Sequence, residues 1–178
     1  ADQREGSPGA PDVKAVRILR DNAAAGTLEG RVICHDVRDA QGKVAVEKGQ
    51  VLDAGAVGGL LTLSWRELHV LELEPGDIHE EPAGARLSQA AAGEGVEVRG
   101  YGGGQWTLAA TRRGLLRVRG EALYEVNAHE GMAVYTLYDL QPVEGGEAVA
   151  RAKIVPLAIA EAHVKRAEEL AWAAAGLV

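Results

Sequence analysis

The sequence predicts an α+β fold, rich in β-strand, built as two small lobes with a C-terminal helix. Three observations predict it. Short apolar runs with alternation or β-branching recur between turn residues, the mark of strands. Two stretches, 80–92 and 159–175, carry alanine-rich or helically spaced apolar residues. Glycines crowd residues 93–104, where a break between lobes is expected. The 178 residues, 47% hydrophobic and 25% charged, suffice for one domain or two small ones and leave no room for a third.

Residues 1–11, ADQREGSPGAP, are polar and rich in Gly and Pro; with nothing to bury, they are expected to form a disordered leader. An N-terminal α+β lobe follows over 12–92. VKAVRILR (13–20) places apolar residues at mixed spacing, and GRVICHDV (30–37) has the β-branched run of a buried strand. DAQGKVAVEKGQVL (39–52) alternates apolar and polar residues around Gly42 and Gly49, as a hairpin with one solvated face does. Asp53 stands as a helix N-cap before AGAVGGLLTL, a short helix weakened by Gly55, Gly58 and Gly59. LHVLEL (68–73) reads as a further strand. After the Pro75-Gly76 turn, EEPAGARLSQAAA (80–92) begins acidic, as a helix dipole favours, and is expected as a surface helix.

Beyond a glycine-rich linker at 93–104, a β-rich lobe is expected over 105–160. QWTLAAT (105–111), GLLRVR (114–119), GMAVYTLY (131–138) and GEAVARAKIVPLAI (146–159) are its strands, with a helical turn at EALYEVNA (121–128). Such a layout suggests a small barrel or sandwich. The C-terminal helix, 161–178, rests on apolar residues at helical spacing and on Glu161 four positions before Lys165. The closing GLV reads as a cut ahead of another strand. In a chain without Phe, Trp65, Trp106, Trp172, Tyr135 and Tyr138 are expected to fill most of the large core volume, with the two tyrosines on opposite faces of one strand.

Composition narrows the function. A net charge of −7 disfavours nucleic acid and anionic membranes, whose phosphates call for clustered Lys and Arg. A single cysteine, Cys34, rules out an internal disulfide framework or a multi-cysteine metal site and fits a reducing cytoplasm. No run approaches the roughly 20 apolar residues that cross a bilayer, and the N-terminus has no apolar signal core.

Three stretches taken together resemble the N-terminal region of bacterial molybdopterin-binding proteins related to molybdenum insertase. GRVICHDVRDAQGKVAVEKGQVLD (30–53) is similar to the family's opening strand, His-Asp pair and hairpin leading into a helix. HVLELEPGDIHEEPAGARLSQAAAG (69–93) resembles its strand, turn and acidic helix start. GLLRVRGEALYEVNAHEGMAVYTLYDLQPVEGGEAVARAKIVPLAIAEA (114–162) resembles the segment that runs through an asparagine-containing turn into a strand like KIIPLAV. The resemblance implies a binding or structural module in molybdenum-cofactor handling. It places the molybdopterin itself in a following α/β domain that the sequence lacks. The implied partner is therefore that missing C-terminal domain or a second subunit, a homo-oligomer included. For the second lobe it implies a barrel-sandwich or lipoyl-like element in which GLLRV and GEAVARAKI pair.

The residues themselves offer three polar turns: His35-Asp36, Asp77 with His79-Glu80-Glu81, and Asn127 with His129-Glu130. Gathered in one cleft, His35, His79 and His129 are ligand types for a divalent metal. Equally, His35, Asp36, His79 and Glu80 are the parts of an acid–base site in a small stand-alone enzyme. The competing reading leaves them as separate solvated turn residues, since the spacing enforces nothing and no HExxH motif occurs. Cys34 and His35 point to opposite faces of their strand, so Cys34 is the core member and a Cys–His nucleophile is the minor reading. Arg112, Arg113, Arg117 and Arg119 form the local basic cluster. On alternating strand positions Arg117 and Arg119 share a face and can take a phosphate or carboxylate, as a cofactor would present, or simply be solvated. Gly102 to Gly104 read as a flexible loop before an anion cradle, for no helix or lysine follows. Lys153 lies within a strand, a poor place for a swinging carrier lysine.

Overall fold

The computed structural model describes residues 14–178, and the leader expected at 1–11 lies outside the described residues. The chain divides into two compact units at Pro75–Gly76. In both, helices accompany antiparallel strands, an α+β architecture.

The first unit contains β1 (Lys14–Leu19), α1 (Ala25–Leu28), β2 (Val32–Ile33), β3 (Val37–Arg38), β4 (Val44–Val46), α2 (Ala54–Thr62) and β5 (Glu67–Glu72). Its sheet runs β1-β5-β2, antiparallel throughout. The two-residue period is plain in β5, where Leu68 and Val70 are buried and Glu67 and His69 exposed. The expected hairpin is β3–β4, beginning two residues earlier than the alternation suggested. Asp39 Oδ1 accepts from the N–H groups of Gln41 and Lys43, and Gly42 takes the positive φ (81°) that the turn needs. Asp53 caps α2 as expected, accepting from Ala56 N at 2.8 Å. Ile18, Leu28, Ile33, Leu52, Leu60, Leu68 and Val70 fill the core.

The second unit contains β6 (Asp77–His79), α3 (Glu80–Ala91), β7 (Val96–Gly102), β8 (Gln105–Ala110), β9 (Gly114–Leu115), α4 (Gly120–Asn127), β10 (Met132–Thr136), β11 (Pro142–Val143), β12 (Ala148–Ile154), β13 (Ala158–Ala160) and α5 (Glu161–Ala173). Four strands make an antiparallel sheet in the order β10-β12-β8-β7, while β6 pairs with β13 and β9 with β11. α3 and α5 pack on each other, and α3 lies on the sheet. Buried positions at Ala83, Leu87, Ala90 and Ala91 recur every third or fourth residue, as they do at Val164, Ala167 and Ala171.

Several expectations are corrected here. The break does not fall at 93–104: Gly103 and Gly104, at φ 60° and 73°, are the two central residues of the tight β7–β8 hairpin. Such a turn needs positive φ twice, and glycine supplies it without steric cost. The sheet is open, with β7 and β10 at its edges, and no barrel closes among the described residues. The lipoyl-like pairing is also absent, because Gly114 and Leu115 pair with Val143 and Pro142 while β12 lies between β8 and β10. α3 is not merely a surface helix, since one face is fully buried.

The aromatic residues do not form the core either. Among the described residues no Trp or Tyr is buried; Trp172 is 61% exposed and Tyr138 86%, and Tyr138 lies past the end of β10. Trp106 is the one that comes nearest: its half-buried indole packs against α3 where Gly84 makes room, a Cβ there falling within 2.8 Å of Cδ1, and Nε1 donates to Glu81 O at 3.1 Å. An equally close approach joins Gly93 to the segment after α5. A Cβ on Gly176, where φ is 98°, would lie 2.5 Å from Gly93 N and Cα. There Gly93 N donates to Val178 O at 2.8 Å, and Leu177 N to Ala91 O at 2.8 Å.

Candidate functional site

The polar turns picked out from the sequence occupy separate settings. His35 and Asp36 lie in the first unit between β2 and β3. The His35 ring stands edge-on to His69, with centroids 5.7 Å apart, and Cys34 N donates to His69 O at 2.9 Å. Asp36 is committed to the hairpin: Oδ1 accepts from Lys48 N at 3.0 Å and Oδ2 lies 3.4 Å from Arg38 Nη2. Burial pushes the Cys34 thiol up, against a smaller opposing effect of the Lys48 charge. A thiol so shifted is not an activated nucleophile.

His79, Glu80 and His129 belong to the second unit. His79 caps α3, its Nδ1 facing Glu81 N at 3.4 Å, and Glu80 N donates to Leu157 O at 3.0 Å. Burial, and then the charges of Glu80 and Glu81, raise the Tyr101 hydroxyl. The His129 ring lies near His163, with centroids 6.5 Å apart. Among the described residues no three His, Cys, Asp or Glu side chains gather into a group that could hold a metal ion. His69 and His163 escaped the sequence reading. Strand alternation puts His69 on the exposed face of β5, yet no local signal shows which histidine it meets.

The arginines do converge. Arg112, Arg113, Arg117 and Arg119 line one cleft of about 460 Å³ in the second unit, with Gly93, Gly95, Gly114 and Gly176 contributing bare backbone. Strand structure stops at Leu115, so Arg117 and Arg119 are not strand residues as expected. An alternation in burial nevertheless persists: Leu116 is buried and Val118 half-buried, while Arg117 between them and Arg119 after them are exposed. Two hydrogen bonds hold this extended segment, Val118 N to Asp139 Oδ1 at 2.8 Å and Arg119 N to Leu177 O at 2.9 Å. Arg112 is paired with Glu94 at 2.8 Å and Arg113 with Glu144 at 3.3 Å. Arg117 and Arg119 have no ion pair among the described residues.

Chemically, the cleft offers a surplus of guanidinium donors, and the one acidic side chain in its lining, Glu94, is already engaged. Planar guanidinium forks match carboxylate and phosphate oxygens two at a time. These are the parts of a binding site for an oxyanion. Its far wall, Glu94 and residues 175–178, comes from segments distant in sequence and was not anticipated. No protein-family model matches the chain, and no curated protein matches it.

Proposed function

We propose that this chain is a binding module whose arginine cleft takes up a phosphate- or carboxylate-bearing partner, and that it serves molybdenum-cofactor handling, as the resemblance implies. One observation carries the binding part: Arg117 and Arg119 make no ion pair among the described residues and line the same cleft as two further guanidiniums. Like charges gathered in a concave site raise the local potential, and an incoming anion relieves their repulsion. The chain as a whole is acidic, at −7, so this basic cleft runs against the average of its surface.

Calorimetric titration with inorganic pyrophosphate at low ionic strength tests the binding part. The double variant Arg117→Ala/Arg119→Ala is expected to bind at least tenfold more weakly, about 1.4 kcal/mol. Equal heats for the two proteins would remove the reading. The cofactor part is tested in cells. Deleting the gene should lower molybdenum-enzyme activity, and re-expression of the double variant should fail to restore it; unaltered activity on deletion would refute this part.

A further inference from the structure

The cleft has an apolar rim. Leu115, which lines it, is 61% exposed, and beside it stand Tyr138 at 86% and Leu140 at 49%. Their proximity is set by the backbone. Residues 138–141 form a turn, closed by Gln141 N donating to Tyr138 O at 3.2 Å, and it is tied to 115–118 by Leu115 opposite Pro142 in the β9–β11 pair, Leu140 N donating to Leu116 O at 2.8 Å, and Asp139 accepting from Val118 N. Leu140 sits at φ 62°, a left-handed backbone conformation that disfavours a branched side chain. Yet its side chain is half exposed and belongs to neither core cluster. The turn thus holds half of the Leu140 surface, and most of Tyr138, out toward solvent beside the cleft.

We infer that cleft and rim together dock an acidic peptide segment of a partner protein, its carboxylates seated on Arg117 and Arg119 and its apolar side chains covering Leu115, Tyr138 and Leu140. The inference rests on the anion-binding reading of the cleft and names the class of partner. Charge complementarity selects an acidic occupant, and the rim selects one with apolar anchors. A free phosphate would fill the cleft and leave the rim wet. An extended anionic lipid surface would be repelled by the chain's net charge of −7, whereas a short peptide meets only the cleft and its edge. Tyrosine and arginine are also the residue types that dominate binding at interface centres.

Fluorescence anisotropy with a labelled peptide of alternating Glu and Leu tests this, against poly-Glu of equal length, pyrophosphate, and vesicles of phosphatidylserine and phosphatidylcholine. The rim variant Tyr138→Ser/Leu140→Gly should bind the Glu-Leu peptide at least tenfold more weakly and pyrophosphate as the wild type does. Because glycine accepts positive φ freely, Leu140→Gly alone should not lower the melting temperature, so lost binding will not reflect lost folding. Arg117→Ala/Arg119→Ala should lose both ligands. Poly-Glu binding as tightly as Glu-Leu, a rim variant that keeps its peptide affinity, or preferential binding to the vesicles would each overturn the inference while leaving the cleft intact. A wild type that ignores pyrophosphate would overturn the anion reading and this inference with it.

Discussion

Asn127 turns its side chain toward the edge of the sheet. Nδ2 donates to Val134 O at 2.8 Å and Oδ1 accepts from Val134 N at 2.7 Å, so one amide occupies the place a neighbouring strand would take beside β10. Asn127→Ala strips partners from a donor and an acceptor on a residue only 1% exposed, and should cost about 2 kcal/mol in urea unfolding. Asn127→Asp keeps the acceptor and loses the donor, and should fall between the two. The sequence places Asn127 beside His129 and Glu130 and so invites a ligand-turn reading. What it cannot display is that β10 is an edge, because that follows from the pairing of strands far apart in the chain.

α3 and α5 are joined by a single guanidinium. Arg86 holds Glu168 through both carboxylate oxygens, Nε to Oε1 at 2.8 Å, and Glu161 through Nη1 at 2.8 Å. Glu168 is only 6% exposed, so Arg86→Ala would leave an unpaired buried carboxylate and should cost about 3 kcal/mol at neutral pH. The Arg86 hydrogen bond, followed by that of Lys165, holds the Glu161 carboxyl below its ordinary value of 4.5. A lowered folded value means the contribution is present at neutral pH and lost as pH falls through it. The stability gap between wild type and variant should therefore narrow in acid, as denaturation at pH 7 and pH 3 would reveal. The expected Glu161–Lys165 pair is present at 3.3 Å, since it depends only on helix spacing. Arg86 was not anticipated, because its partners lie 75 and 82 residues away.

Over the whole molecule, the features legible in the sequence were the local ones: the α+β class, the Asp53 cap, the acidic start of α3 and the C-terminal helix. Glycine-rich 93–104 misled because glycine marks a tight hairpin and a linker alike. The barrel and the aromatic core misled because sheet closure and the choice of which side chains end up inside are set by long-range packing, here by aliphatic residues such as Ala83, Leu87 and Ala90 on α3 against Leu108, Ala152 and Ile154 on the strands. A net charge of −7 and a pI near 5.3 place the solubility minimum of this chain near that pH, which light scattering across pH 4–8 would check. At the contact between Gly93 and Gly176, each glycine's missing Cβ is space that the other segment's main chain fills. Sequence drift therefore has no first step at this corner, for any side chain there meets backbone rather than something that can swing aside. The same two glycines line the arginine cleft. Substitutions that change what the cleft accepts are therefore tolerated on the arginine side, while the glycine wall stays a fixed mould.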